Sequence, residues 1–221
     1  MDILIYSTLT NLIYFCAGYI FLSKNKLNSE DYFYVFFTGL ILISFVSLVL
    51  NFFFKLSPFL NSIIYIIILA AFIIKTKLKF NLNRRIILLL IISSISTFLL
   101  IIYSNVNRPD AGLYHLPYIS ILNENKIILG ISNIHSRFAH TSILQYLSAI
   151  NYNYLFLENG ISIPLASIVS FFYIYFLNDI LRVVRNKDEI TYSNLFSLFI
   201  TIYISYKINR YSSFGNDAIA H

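Results

Sequence analysis

Between Arg108 and His140 the chain gathers residue types that do proton-transfer and anion-binding chemistry. His115, His135 and His140 are three of its four histidines, and Arg108 and Arg137 stand among them. Asp110, Glu124 and Glu158 are the only acids between residues 104 and 160. A carboxylate near imidazoles is a common equipment for general acid–base work. The chain's last stretch, NRYSSFGNDAIAH, adds Asp217 and His221, and its NDAIAH is similar to the earlier PDAGLYH. Two aspartates at one site can divide labour, one as base and the other holding a cation or a polar substrate. Each residue also has a plainer reading. Asp110 after Pro109 suits a helix N-cap, which does not exclude catalysis, and Arg137 suits pairing with a lipid phosphate at the membrane surface.

The spacings His-x4-His (135, 140) and Asp-x4-His (110, 115) are not those of a structural zinc site. The one cysteine, Cys16, lies in an apolar run and can form no internal disulfide. No metal site is assigned, and a divalent cation on Asp110 stays open. The sequence has no Gly-x-Ser-x-Gly, P-loop or His-Glu-x-x-His motif, so ATP-driven chemistry is not expected within this chain.

What must position these residues is a lipid bilayer. The chain is 58% apolar and 12% charged, against about 25% charged in a soluble domain. Its apolar runs reach the length that spans a bilayer core. The expected fold is an all-α polytopic membrane protein with about six spans, near 3–23, 32–54, 57–74, 86–103, 161–181 and 190–206. Asp2 and the absence of a small-residue cleavage site make the first run a permanent span rather than a signal peptide. The net charge of +6 comes from short clusters between spans, which act as topology signals, and no basic face suited to nucleic acid is present. Segments 75–85 and 182–189 should be cytoplasmic. The N-terminus, the turn at Lys55, the loop 104–160 and the tail from Lys207 should then be outside.

Residues 1–221 form one membrane domain, and its large extracytoplasmic loop, 104–160, carries the candidate site. Two amphipathic helices lying in the interface are expected there. The first follows Asp110, with Leu113, Leu116, Ile119 and Leu122 recurring every three residues. The second starts near Ser136, with Ala139, Ile143, Tyr146, Leu147 and Ile150 opposite Arg137, His140, Thr141, Gln145 and Ser148.

The stretch DAGLYHLPYISILNENKIILGISNIHSRFAHTSILQYLSA resembles the first large outer loop of the GT-C class of membrane glycosyltransferases, and more closely a branch of bacterial multi-spanning proteins. The shared pattern falls on Asp110, Tyr114, His115, Leu116, Gly130, Asn133, His135, Arg137, Phe138 and Ser142. The match covers this stretch; the order of spans, loop and second acidic segment agrees in layout. The resemblance implies a polyprenyl-phosphate-linked sugar donor and a site on the outer face of the bacterial cytoplasmic membrane. Asp110 would act on the acceptor hydroxyl, with Asp217 as second carboxylate. Arg137 and Arg108 suit the donor phosphate through their planar fork, with Tyr114, His115, His135, His140 and His221 around them.

The chain departs from the pattern in placing three spans before the helix that leads into the loop. Its end at His221, inside the second motif, predicts a fragment of a longer protein, inactive alone. Other classes fit the same layout. A surface-polysaccharide polymerase or ligase would use outer-loop arginines and histidines without a catalytic aspartate. A transporter would carry ionisable residues near the middle of its spans. A non-enzymatic membrane protein would need none of these groups.

Overall fold

Apolar runs of this length have one stable form in lipid, the helix, which satisfies every backbone polar group internally. The computed structural model describes residues 2–22, 32–76, 84–103, 111–139, 142–186 and 189–206. Its regular elements over those residues are all helices, without a strand. Helices α1 (Asp2–Leu22), α2 (Tyr32–Phe53), α3 (Pro58–Thr76) and α4 (Arg84–Tyr103) are long and apolar enough to cross a membrane. So is the stretch Leu157–Asn186, which ends in α7 (Ile163–Asn186). The chain is thus an integral membrane protein with five candidate spans among the described residues. The sixth expected span, 190–206, is described as α8 (Tyr192–Tyr206), a helix of 15 residues. At 1.5 Å per residue its described part covers about 22 Å.

Helices α1 and α2 cross most closely, at Gly18 and Gly39. A Cβ on Gly18 would overlap the Val35 carbonyl oxygen, and one on Gly39 would overlap the Tyr14 carbonyl oxygen. Small residues at such a crossing let backbones touch where no hydrophobic force drives helices together. Polar side chains tie the remaining spans. Asn11 Nδ2 of α1 donates to Ser93 and Ser94 Oγ of α4, each at 3.3 Å, and Thr97 Oγ1 of α4 donates to Ser170 Oγ of α7 at 3.2 Å. The Asp179 carboxylate of α7 accepts from Asn194 Nδ2 (3.0 Å) and Ser197 Oγ (2.9 Å) of α8. It also pairs with Arg182 at 3.5 Å. That acid therefore serves as a clamp between two helices.

The bundle has two unlike ends. At one, Lys75 Nζ reaches the Ile20 carbonyl, joining the ends of α3 and α1, and Arg85 lies among the start of α2 and the end of α7. At the other, residues 111–139 and 142–162 fold into a cap over the start of α1 and the α2–α3 turn; the Tyr6 ring lies 5.0 Å from Phe156. Its helices are α5 (Leu116–Glu124) and α6 (Ile143–Ile150).

Two expectations for the loop change. The second amphipathic helix does not run from Ser136. A 3-10 turn covers Ser136–Ala139, and α6 begins afresh at Ile143. Ser142 imposes that start: its Oγ accepts from the Leu144 N–H (3.2 Å), and its own N–H donates to Gln145 Oε1 (3.0 Å), the reciprocal capping that opens a helix. Nor does α6 keep a polar face outward. Every residue from Gln145 to Ile150 is buried, Ser148 included. Leu147 and Ile150 enter the main core beside Tyr14, Phe36 and Phe171.

Candidate functional site

The first cap helix opens with a π turn, Ala111–His115, before continuing as α5. Pro117 has no N–H to give to the carbonyl four residues back, so a widened turn before it relieves a bond that an α-helix would lack. The wider turn resets the register. Ala111, His115, Tyr118, Ile119 and Leu122 face inward, while Leu113, expected on the apolar face, is 61% exposed. His115 consequently occupies a core-facing position, 4% exposed, with its ring 4.1 Å from that of Tyr114.

The second part of the motif arrives by a turn at Gly130, whose φ of 78° lies in the left-handed region that glycine tolerates. The N–H of Asn133 donates back to the Gly130 carbonyl (2.9 Å), and a 3-10 turn then carries His135 to Ala139. Phe138 anchors this turn. It is buried in the cap core with Tyr118, Ile119, Leu122 and Tyr146, its ring 5.8 Å from that of Tyr118 and 5.3 Å from that of His135. Arg137, next to the anchor, lays its guanidinium over the Tyr114 ring, 4.8 Å from the centroid. This is the geometry of a cation–π contact. The Arg137 N–H donates to His135 Nδ1 at 3.2 Å. A neutral His135 therefore carries its proton on Nε2, the nitrogen left facing outward on an exposed side chain.

Four of the residues singled out in the sequence, Tyr114, His115, His135 and Arg137, thus meet in one cluster on the cap. His135 and Arg137 are the exposed members, so the cluster presents a guanidinium and an imidazole outward while His115 stays buried. Ser142 of the same motif is used structurally, as the cap of α6. Arg108, Asp110, His140, Asp217 and His221 lie outside the described residues. Among the described residues no three of His, Cys, Asp and Glu come together as metal ligands, so no cation site is built there and no step is assigned to one.

Two features escaped the sequence reading. The first is a set of buried asparagines that stitch the cap to the spans. Asn61 Nδ2, in α3, donates to the carbonyls of Leu56 (2.9 Å), Ala149 (3.0 Å) and Tyr152 (2.7 Å). Asn51 Nδ2, in α2, reaches those of Leu122 (3.3 Å) and Asn125 (3.1 Å). Asn123, with its amide nitrogen turned toward them, donates to Ala149 and Leu56 oxygens at 3.0 and 2.9 Å. Asn151 accepts from the Tyr65 hydroxyl and donates to the Gly160 carbonyl at 2.6 Å. An asparagine near the end of an apolar run, as in LVLNFFF or FLNSII, was the available signal, since polar groups there need partners.

The second is a cleft of about 620 Å³ between α5 and the α2–α3 turn, with Lys55, Glu124 and Glu158 at its edges. Ser120 Oγ donates to Glu124 Oε1 at 2.9 Å, steadying one of those carboxylates. Helix α5 therefore carries the Tyr–His cluster at its start and one wall of this cleft, Leu116, Ile119, Ser120 and Asn123, along its length.

No curated protein and no solved structure matches the chain significantly. A family model described as a domain of unknown function (DUF8201) matches residues 1–219, and the chain belongs to that family.

Proposed function

We propose that the protein is a GT-C-like glycosyltransferase, moving a sugar from a polyprenyl-phosphate donor to an acceptor hydroxyl at the outer face of the bacterial cytoplasmic membrane, in cell-envelope glycan or lipid modification. The observation that carries this reading is the convergence of the two halves of the loop motif. Tyr114 and His115 come from one segment, and His135 and Arg137 from another. They meet through the Arg137–Tyr114 stack, with His135 held beside Arg137 in its own segment by the hydrogen bond from the Arg137 backbone N–H. A guanidinium held in place by an aromatic face suits a lipid-linked phosphate, because the planar fork matches two phosphate oxygens at once.

In the proposed reaction the acceptor oxygen attacks the anomeric carbon and the glycosidic bond to phosphate breaks. Polyprenyl phosphate leaves with the bonding electron pair, its charge met by Arg137 and, by the resemblance, Arg108. Asp110 takes the acceptor's proton, and Asp217 is the second carboxylate.

The test uses membranes from cells making the full-length protein and a radiolabelled polyprenyl-phosphate sugar. Asp110→Asn should lower transfer by about 10²–10⁴-fold, the usual worth of a positioned base. Arg137→Lys should raise the donor KM while leaving more of kcat. Unchanged transfer by Asp110→Asn would overturn the base assignment and favour a polysaccharide polymerase or ligase, which needs no such aspartate.

A further inference from the structure

After α6 the cap makes an irregular turn through Asn153–Phe156, which runs into a 3-10 turn, Leu157–Gly160. Three of its large apolar side chains lie outside the protein. Tyr154 and Leu155 are each 64% exposed, and Leu157 is 51% exposed. Phe156 between them is buried and packs its ring against those of Tyr6 and Tyr65. Three such groups side by side in water would forgo the gain that apolar surface makes on leaving it.

Helix α3 fixes where this turn sits. The Tyr154 N–H donates to Ser62 Oγ at 3.1 Å. With 19 residues, α3 is about 28 Å long, so crossing a hydrocarbon core of roughly 30 Å takes its whole length. Ser62 stands four residues inside its first residue, Pro58, about 6 Å along the axis. Tyr154, bonded to it, therefore lies at the depth of the acyl chains on the cap side.

The backbone of the turn is finished as that depth requires. The Leu155 and Phe156 N–H groups both donate to Asn153 Oδ1, at 2.9 and 3.1 Å. The Leu157 N–H donates to the Asn153 carbonyl at 2.8 Å. With the bond to Ser62, four consecutive N–H groups find partners within the protein. An exposed turn in water can leave such groups to solvent, whereas hydrocarbon offers them nothing. Leu157 itself has a φ of 48°, in the left-handed region that costs a residue with a Cβ. Glycine or asparagine would serve that position in water. A leucine adds apolar surface there, an advantage only against lipid. Directly after it, Glu158 lines the polar cleft with Lys55, so the insertion is shallow.

We propose that Tyr154–Leu157 is a wedge set into the acyl region of the leaflet on the cap side, with lipid tails covering Tyr154, Leu155 and Leu157. The assignment is independent of the reaction proposed for the cap.

The chain has no tryptophan, so a single introduced one emits without background. Tyr154→Trp and Leu155→Trp are made separately in the full chain and reconstituted in phosphatidylcholine vesicles; either one reads the turn if the other does not fold. Ile66→Trp, on an exposed position of α3, marks lipid, and Ser120→Trp, on an exposed position of α5, marks water. Both turn variants should emit to the blue of Ser120→Trp. Phosphatidylcholine brominated on its acyl chains should quench them as it quenches Ile66→Trp, and aqueous acrylamide should quench Ser120→Trp far more than either. Quenching of the turn variants by acrylamide as strongly as Ser120→Trp, with none from the brominated lipid, overturns the wedge. An emission that neither quencher reaches would place the turn against a second copy of the chain and overturn the lipid.

Discussion

The cap end and the arginine end are built on the same helices and held by opposite means. At the cap, amide side chains from the ends of α2 and α3 reach backbone carbonyls of the loop. Asn61 alone serves Leu56, Ala149 and Tyr152. At the arginine end, long cationic side chains stand at the mouth of an apolar cleft, and Asp179 joins α7 to α8. Short amides have few rotamers and fix geometry. Long cations hold little geometry but meet mobile charged ligands well. The difference sets a cap stitched by short amides against an end lined by long cationic side chains.

That contrast can be broken in graded ways. The largest effect is expected from Gly39→Leu, whose side chain would have to occupy the space of the Tyr14 backbone in α1. Both ends should fail together, seen as loss of the monodisperse peak after detergent extraction. A normal peak would show that the α1–α2 crossing is not shared by the two ends. Next, Asn61→Leu should destabilise by about 2 kcal/mol, the two amide N–H donors shared among three carbonyls counting roughly 1 kcal/mol each, read as a lower unfolding midpoint in detergent. Its counterpart at the other end, Arg185→Gln, should stay within about 0.5 kcal/mol, as exposed substitutions do. Equal shifts for the two would erase the distinction between a stitched end and an open one.

The spans were legible because length and apolarity decide them: 32–54 was expected and Tyr32–Phe53 is found, 86–103 was expected and Arg84–Tyr103 is found. The cap was legible only in its composition. The residues Tyr114, His115, His135 and Arg137 could be picked out by type and clustering, but their meeting depends on Phe138 entering a core made by α5 and α6. Leu113 was misplaced because a period of three takes no account of the π turn that Pro117 favours. Ala139 and Ile143 were joined into one helix because their spacing fits, while Ser142, a helix-capping residue between them, was read only as part of the motif. Polar positions of α6 such as Gln145 and Ser148 look like a wet face in sequence. They are buried because α2, α5 and α7 surround them, a fact that no local pattern contains.

The depth of α6 has a consequence for biogenesis. Leu147 and Ile150 complete their packing only against Tyr14 of α1, Phe36 of α2 and Phe171 of α7. The ribosome makes α7 after the cap, so the cap completes its packing only once that later span is in place. Its docking therefore requires spans from both halves of the chain.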